Sequence, residues 1–114
     1  MSRGVIKMTN TTFNWEQNWI LTYDLDHAEG ITKDDIVNAS DEIFKKSILV
    51  KGSRKFYDVP STTLWAYRSK FNDVYAVKDA FYRAFNAAKK SNKVTVKKLV
   101  ICDYVNNKLY IENN

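Results

Sequence analysis

The sequence has very few of the residues that build metal and redox centres. Its 114 residues include one cysteine, Cys102, and one histidine, His27. One cysteine excludes an internal disulfide, and these two residues cannot supply a cysteine-rich or a two-histidine zinc site. The three glycines stand far apart, which excludes a glycine-rich phosphate-binding loop. Cys102 falls in the most apolar stretch, so we expect it to be a small buried side chain.

Long apolar runs are also absent. The longest extend over only a few residues, whereas a membrane-spanning helix needs about 20. The first eight residues lack the apolar core of a signal peptide. Both features predict a cytoplasmic protein with no membrane partner. The length and the 45% of hydrophobic residues fit one domain over residues 1–114, with 1–12 as a loose arm and 18–112 as the core.

Charge is distributed unevenly along the chain, whose net charge is +5. Residues 1–44 carry three basic and eight acidic side chains, whereas residues 45–98 carry fourteen basic and three acidic ones. A local positive excess of this kind is typical of proteins that bind nucleic acid, RNA or DNA. The alternative is a solvated basic face that promotes solubility.

Hydrophobic periodicity predicts an α+β protein with the order β-α-β-β-α-β and a short C-terminal strand. The predicted strands are 18–25, 47–51, 62–67, 94–104 and 108–112, and the predicted helices are 33–45 and 74–90. Residues 53–61 are a predicted loop, and 106–107 a tight turn. This order is the ferredoxin-like split β-α-β pattern, a single antiparallel sheet with two helices on one face.

The apolar positions of the two predicted helices indicate where the core lies. The residues expected beneath the helices are Val37, Ile43, Phe44, Val77, Phe81 and Phe85. Trp65 is expected to pack in the core as well. The near-continuous apolarity of residues 18–25 is typical of a central strand buried on both faces.

The first predicted strand also carries a family resemblance. Its ending Leu21-Thr22-Tyr23-Asp24-Leu25, followed by a helix and by a strand that Lys46-Ser47 introduces, resembles the small CRISPR-associated adaptation subunit and the virulence-associated protein D ribonucleases. The similarity covers roughly residues 19–112. It implies a homodimer in which the terminal strand adds to the partner's sheet, and a metal site in which each subunit contributes Asp24.

Asp24 and Asp26 are therefore the candidate catalytic residues. Carboxylates bring Mg²⁺ to a phosphodiester, and residues two apart in an extended chain share a face. The adjacent His27 is a candidate general base. The alternative is that both aspartates only mark the exit from a strand into a loop, and that His27 is a surface residue.

Basic and aromatic residues alternate around the third predicted strand. The candidate nucleic-acid-binding residues are Lys51, Arg54, Lys55, Tyr57, Tyr67, Arg68 and Lys70. Lysine and arginine contact phosphates, and exposed aromatic rings stack on the bases of single strands. Because the five cations flank one predicted hairpin, we expect them to converge at one end of the sheet.

Three functions follow from these observations. The first is a homodimeric nucleic-acid-binding protein, with or without nuclease activity. The second is a phage-encoded interaction protein that blocks or redirects a host protein or nucleoprotein complex. Eleven asparagines among many lysines, isoleucines and tyrosines are typical of AT-rich genomes, those of phages or of some bacteria. The third is a Mg²⁺-dependent endoribonuclease that acts as a toxin or defence component.

Overall fold

A computed structural model describes residues 17–49, 55–104 and 109–112, with the backbone alone at 67–68. The strands are β1 (Gln17–Asp26), β2 (Ser47–Leu49), β3 (Phe56–Asp58), β4 (Thr63–Ser69) and β5 (Thr95–Tyr104). The helices are α1 (Lys33–Ala39) and α2 (Val74–Ala88), with a 3-10 turn at Ala28–Gly30. The described chain is thus an α+β fold, as the sequence predicts. The predicted arm at 1–12 and turn at 106–107 lie outside these residues.

Three strands form an antiparallel sheet in the order β4-β1-β5. Leu21 of β1 lies between Leu64 of β4 and Ile101 of β5, so β1 is the central strand that its apolar sequence predicts. On one face of β1 the residues Trp19, Leu21 and Tyr23 are buried, whereas Thr22 and Asp24 on the other face are exposed. Burial on both faces is therefore limited to the first half of the strand, where Ile20 is half-buried.

The predicted hairpin between the second and third strands differs from the structure. β2 pairs with β3, in a second sheet of two strands, with Ile48 opposite Tyr57 and Leu49 opposite Phe56. The predicted loop at 53–61 therefore contains a strand, and the prediction of one single sheet is wrong for the described residues. The connection from β2 to β3 is shorter than a connection from β2 to β4 would be, which lowers the entropy cost of pairing β2 with β3. An isolated bridge between Lys45 and Trp65 links the hairpin to β4.

Helix α1 begins where the sequence predicts but ends six residues earlier. Thr32 caps it, and the Thr32 hydroxyl and Asp35 carboxylate form a reciprocal capping box. Beyond Ala39 the buried Ser40 hydroxyl donates to Val37 O at 2.7 Å and accepts the Phe44 N–H at 3.1 Å. The next two residues take positive φ angles of 54° and 67°. This turn directs Phe44 into the core, where a continued helix would have carried it further along the helix axis.

The main core lies between α1, α2 and the three-stranded sheet. Phe81 is fully buried at its centre, with ring centroids at 5.4 Å from Tyr23, 6.5 Å from Phe44 and 6.1 Å from Phe85. Of the predicted core residues, Phe44, Val77, Phe81 and Phe85 are buried, and Val37 and Ile43 are half-buried against them. Both helices pack on one face of the sheet, as the sequence predicts.

A second, smaller core lies on the opposite face of the sheet. Its buried residues are Ile48, Val59 and Trp65. The half-buried Leu109 and Ile111 pack against it. Residues 109–112 form no strand, so the prediction of a terminal strand is wrong over these four residues. Their apolar side chains are used within the chain instead.

The part of this second face that β5 contributes is not covered in the same way. Cys102 on β5 is exposed, which contradicts its expected burial. The helices pack against the alternate residues of β5, Leu99 and Ile101, so the residues between them point away from the main core. An apolar sequence predicted the strand correctly but not which of its side chains are covered.

Candidate nucleic-acid interface

The structure describes only part of the predicted nucleic-acid-binding set. Lys51 and Arg54 lie outside the described residues, as do the side chains of Tyr67 and Arg68. The described lysines, Lys55 just before β3 and Lys70 just after β4, are both exposed. Convergence of the five cations therefore stays a prediction.

Strand β3 places its two aromatic residues on opposite sides. Tyr57 is half-buried and packs against the second core, whereas the Phe56 ring is 67% exposed. In a strand successive side chains point to opposite faces, so one aromatic residue of this pair packs inward and the other faces solvent. The predicted binding set contains Tyr57 but not Phe56, because a loop at 53–61 would not place successive side chains on opposite faces as β3 does.

Beside Phe56 lies a largely apolar groove of about 370 Å³. The described residues that line it come from α1, β2, β3, β4 and the α1–β2 connection: Val37, Lys45, Lys46, Ser47, Leu49, Phe56 and Trp65. The β2–β3 pairing and the Lys45–Trp65 bridge bring these residues together. No short-range sequence pattern predicts this groove, because its lining residues span almost thirty positions.

An ion pair lies at the lining of this groove, and the half-buried Lys33 joins neighbouring elements. Lys46 Nζ lies 2.9 Å from Asp34 Oδ1, and this hydrogen-bonded pair raises the pKa of Lys46. Lys33 Nζ donates to Val59 O and Pro60 O, both at 3.0 Å. Burial lowers the pKa of Lys33, while the nearby carboxylates of Asp58 and Asp34 act in the opposite direction. The Lys33 contacts join α1 to the β3–β4 connection, and so hold the hairpin in place.

Folding brings many acidic residues of the first half of the chain against basic residues of the second half. Besides the Lys46–Asp34 pair, Lys90 Nζ lies 3.5 Å from Asp35. Asp24 on β1 stands opposite Lys98 on β5. The charge segregation of the sequence is thus partly cancelled in three dimensions.

One stretch of the sequence has a marked positive excess. The segment 50–72, here called the basic hairpin segment, contains five basic residues and one acidic residue, Asp58. Asp58 Oδ1 accepts a hydrogen bond from Ser47 Oγ at 2.6 Å. Most of the described acidic residues that pair with lysines belong to α1 and its neighbouring turn, and the basic surface of the hairpin segment stays a prediction.

The predicted catalytic aspartates lie on β1, outside the lining of the groove. Asp24 and Asp26 are exposed and alternate with Tyr23 and Leu25, which face the core, so the two carboxylates do share a face of β1. Within residues 17–49, 55–104 and 109–112, no group of three or more histidine, cysteine or acidic residues is placed to hold a metal ion. Asp24 faces Lys98, and an ammonium there competes with a cation.

His27 follows the two aspartates in the chain. It is exposed in the left-handed region with φ of 57°, and its Nδ1 lies 3.8 Å from Glu29 Oε2. The partner of His27 is thus the carboxylate of Glu29, in the 3-10 turn that follows. The roles of Asp24 as metal ligand and of His27 as base stay predictions, and no reaction step follows from the described geometry.

Comparisons with protein-family models, with curated proteins and with solved structures give no match to this chain. The resemblance to the CRISPR-associated adaptation subunit and the virulence-associated protein D ribonucleases therefore stays a prediction. Neither described helix is long and apolar enough to cross a membrane. The function must be argued from the residues themselves.

Proposed function

We propose that the protein binds single-stranded nucleic acid at the groove beside Phe56. Bases stack on the Phe56 ring and against the apolar wall of Leu49 and Val37, while cations of the basic hairpin segment contact the phosphates. Both kinds of contact are independent of base sequence, because every base has an aromatic face and every nucleotide carries a phosphate.

The exposure of Phe56 is the observation that carries this proposal. A phenylalanine that exposes 67% of its surface forgoes most of the free energy that its burial would supply, about 2 kcal/mol. Phe56 borders an apolar groove, and exposed apolar surface of this kind marks a binding surface. The nearby cations favour an anionic partner, and the exposed ring favours a partner with flat apolar groups.

Charge supports the same location. Lys55 precedes Phe56 directly and is exposed, and four further basic residues belong to the basic hairpin segment. Lys45 and Lys46 line the groove itself, although each lies near a carboxylate. The groove thus combines aromatic surface with nearby positive charge, which is the usual design of single-strand binding sites.

Binding without cleavage is the form of the function that the described residues support. Asp24 and Asp26 lie on β1, on the far side of β4 from the groove lining, and Asp24 faces Lys98. A homodimer remains part of the proposal, and Mg²⁺ has no assigned role in it.

The test compares two exposed aromatic residues. Phe56→Ala should weaken binding of a labelled single-stranded oligonucleotide roughly tenfold or more in fluorescence anisotropy, because stacking contributes about 1–3 kcal/mol per base. Tyr75→Ala is the matched control, since Tyr75 on α2 is 68% exposed and lies outside the groove. It should leave the affinity within about twofold. DNA and RNA strands of the same sequence distinguish the two nucleic acids.

Two results would contradict the proposal. One is wild-type protein that binds neither strand at low salt. The other is equal loss of affinity in both variants. A stoichiometric complex with a host protein that persists at high salt, and that Phe56→Ala abolishes, would instead support the interaction protein, because phosphate contacts weaken steeply with salt.

A further inference from the structure

The β2–β3 hairpin has one face that does not pack on the second core. Tyr57 of β3 belongs to that core, and successive side chains of a strand point to opposite faces. The other face therefore carries Phe56 and Asp58 together with the residues that stand opposite them. These cross-strand pairs are Leu49 with Phe56, which is apolar, and Ser47 with Asp58, which is polar. A carboxylate thus shares a face with the exposed ring.

Asp58 lies beside the groove at Phe56. Its Oδ1 accepts a hydrogen bond from Ser47 Oγ at 2.6 Å, and Ser47 lines the groove. Its charge also acts to raise the pKa of Lys46, a second lining residue. Asp58 is itself exposed, so a molecule that enters the groove meets both the ring of Phe56 and this carboxylate.

A carboxylate is unfavourable on a surface that contacts only phosphates. Asp58 is the one acidic residue of the basic hairpin segment, and its negative charge repels the phosphates of any bound strand. A carboxylate instead attracts hydrogen-bond donors, and the N–H donors of a nucleic acid lie only on its bases. The position of Asp58 therefore favours recognition of a base edge.

We propose that Asp58 selects guanine among the bases that stack on Phe56, an inference that rests on the proposed binding of single strands at the groove. An ionised carboxylate only accepts hydrogen bonds. Guanine is the base whose Watson–Crick edge presents two adjacent donors, N1–H and the exocyclic amine. On adenine and cytosine an acceptor nitrogen adjoins the amine, and on uracil and thymine two carbonyls flank the single N–H. Each of these bases turns a repulsive lone pair toward the carboxylate.

The spacing along β3 suits this contact. Residues two apart in a strand are separated by about 6.6 Å, and a base that covers the Phe56 ring extends along this distance toward Asp58. It then needs only one hydrogen-bond length, about 2.9 Å, to reach the carboxylate. A carboxylate has about four lone-pair sites, so the bond from Ser47 to Oδ1 leaves sites for both guanine donors. Two parallel bonds to a charged acceptor form a strong and geometrically specific contact.

The first test measures the base preference of the wild-type chain. Short labelled thymine strands that differ only in one central base, which is guanine, hypoxanthine or adenine, are compared by fluorescence anisotropy at one salt concentration. The guanine strand should bind roughly tenfold more tightly than the adenine strand, as for other bidentate base contacts. Hypoxanthine keeps N1–H but lacks the amine, so its strand should bind with intermediate affinity.

The second test removes the charge of Asp58 with little change of shape. Asp58→Asn presents one acceptor and one donor, so it cannot accept from both guanine donors and should reduce the preference to within about twofold. Asp79→Asn is the matched control, because Asp79 on α2 is exposed and lies outside the groove lining. It should keep the full preference, since a change in long-range charge affects all strands alike. Equal melting temperatures would show that both variants fold.

The outcomes distinguish this inference from the proposed function. Three results would overturn the guanine contact alone, with Phe56→Ala still weakening every strand: equal wild-type affinity for the guanine and adenine strands, a preference that persists in Asp58→Asn, or an equal loss of preference in Asp79→Asn. Wild-type protein that binds none of the strands, or Phe56→Ala that binds as tightly as wild type, would overturn single-strand binding at the groove, and the guanine contact with it.

Discussion

The two faces of the three-stranded sheet are covered in different ways. On one face, two helices bury a continuous core centred on Phe81. On the other, a short hairpin and residues 109–112 cover Trp65, while Val100 and Cys102 stay exposed. The first face holds the larger core, and the groove beside Phe56 is formed by the hairpin together with Trp65 and Val37 of α1. Stability thus depends chiefly on the helix-covered face, and the proposed binding site lies at the hairpin.

The largest expected effect lies on the helix-covered face. Phe81→Ala should lower the free energy of unfolding by about 3–5 kcal/mol, because a fully buried aromatic side chain leaves a cavity. Urea denaturation followed by circular dichroism measures the change. A loss below about 1 kcal/mol would show that this face is not the main core.

Truncation of a buried side chain to alanine on the hairpin-covered face should lower the free energy of unfolding by less. Ile48→Ala removes a fully buried side chain from a core with three buried residues, and we expect a loss of about 2–3 kcal/mol. Since Ile48 belongs to β2, the groove should be disturbed as well, and nucleic-acid affinity should fall. Phe81→Ala, assayed at a temperature where it is folded, should keep its affinity. A larger loss of stability in Ile48→Ala than in Phe81→Ala would contradict this comparison of the two faces.

Alkaline pH should weaken the helix-covered face through Tyr23. Burial raises the pKa of its phenol to about 12, whereas the unfolded chain titrates near 10.0. Between these values the unfolded state releases a proton that the folded state retains, so the free energy of unfolding falls as pH rises, by at most about 1.4 kcal/mol per pH unit. Tyr23→Phe should flatten this slope. Identical slopes in the two proteins would refute the assignment.

A smaller loss of stability should follow when the hairpin loses its contacts with Lys33. Lys33→Met removes an ammonium that donates to Val59 O and Pro60 O, and we expect a loss of about 1–2 kcal/mol, as for hydrogen bonds from charged groups. The buried part of the side chain is conserved in methionine. Hydrogen exchange should speed up at Val59, whose N–H donates to Lys46 O, but not at Leu21. Unchanged exchange at Val59 would mean that Lys33 does not anchor the hairpin.

The sequence predicts the helix-covered face far better than the hairpin-covered one. Helix α2 follows from a 3.6-residue hydrophobic period, which is a local signal. The early end of α1 does not, because it depends on the Ser40 hydroxyl bonding to Val37 and Phe44. An apolar period that continues to Phe44 looks the same whether the helix continues or turns.

The candidate groove was only partly predictable. The basic, aromatic composition near Lys55 indicates the part of the chain that contains Phe56, but strand β3 has only three residues, too few for an alternating pattern to identify it. Without the Leu49–Phe56 pairing, the choice between Tyr57 and Phe56 as the exposed ring cannot be made. The charge count of the sequence also takes no account of pairs such as Lys90–Asp35, which form only in the folded chain.

The most direct measurement of the central claim is the salt dependence of single-strand binding in two matched double variants. Arg54→Ala with Lys55→Ala should reduce the slope of log affinity against log salt by about two, roughly one per phosphate contact, for all sequences alike. Lys78→Ala with Arg83→Ala removes the same charge from the exposed side of α2 and should leave the slope near the wild-type value. Equal reductions in both variants, or no reduction in the first, would contradict binding at the hairpin.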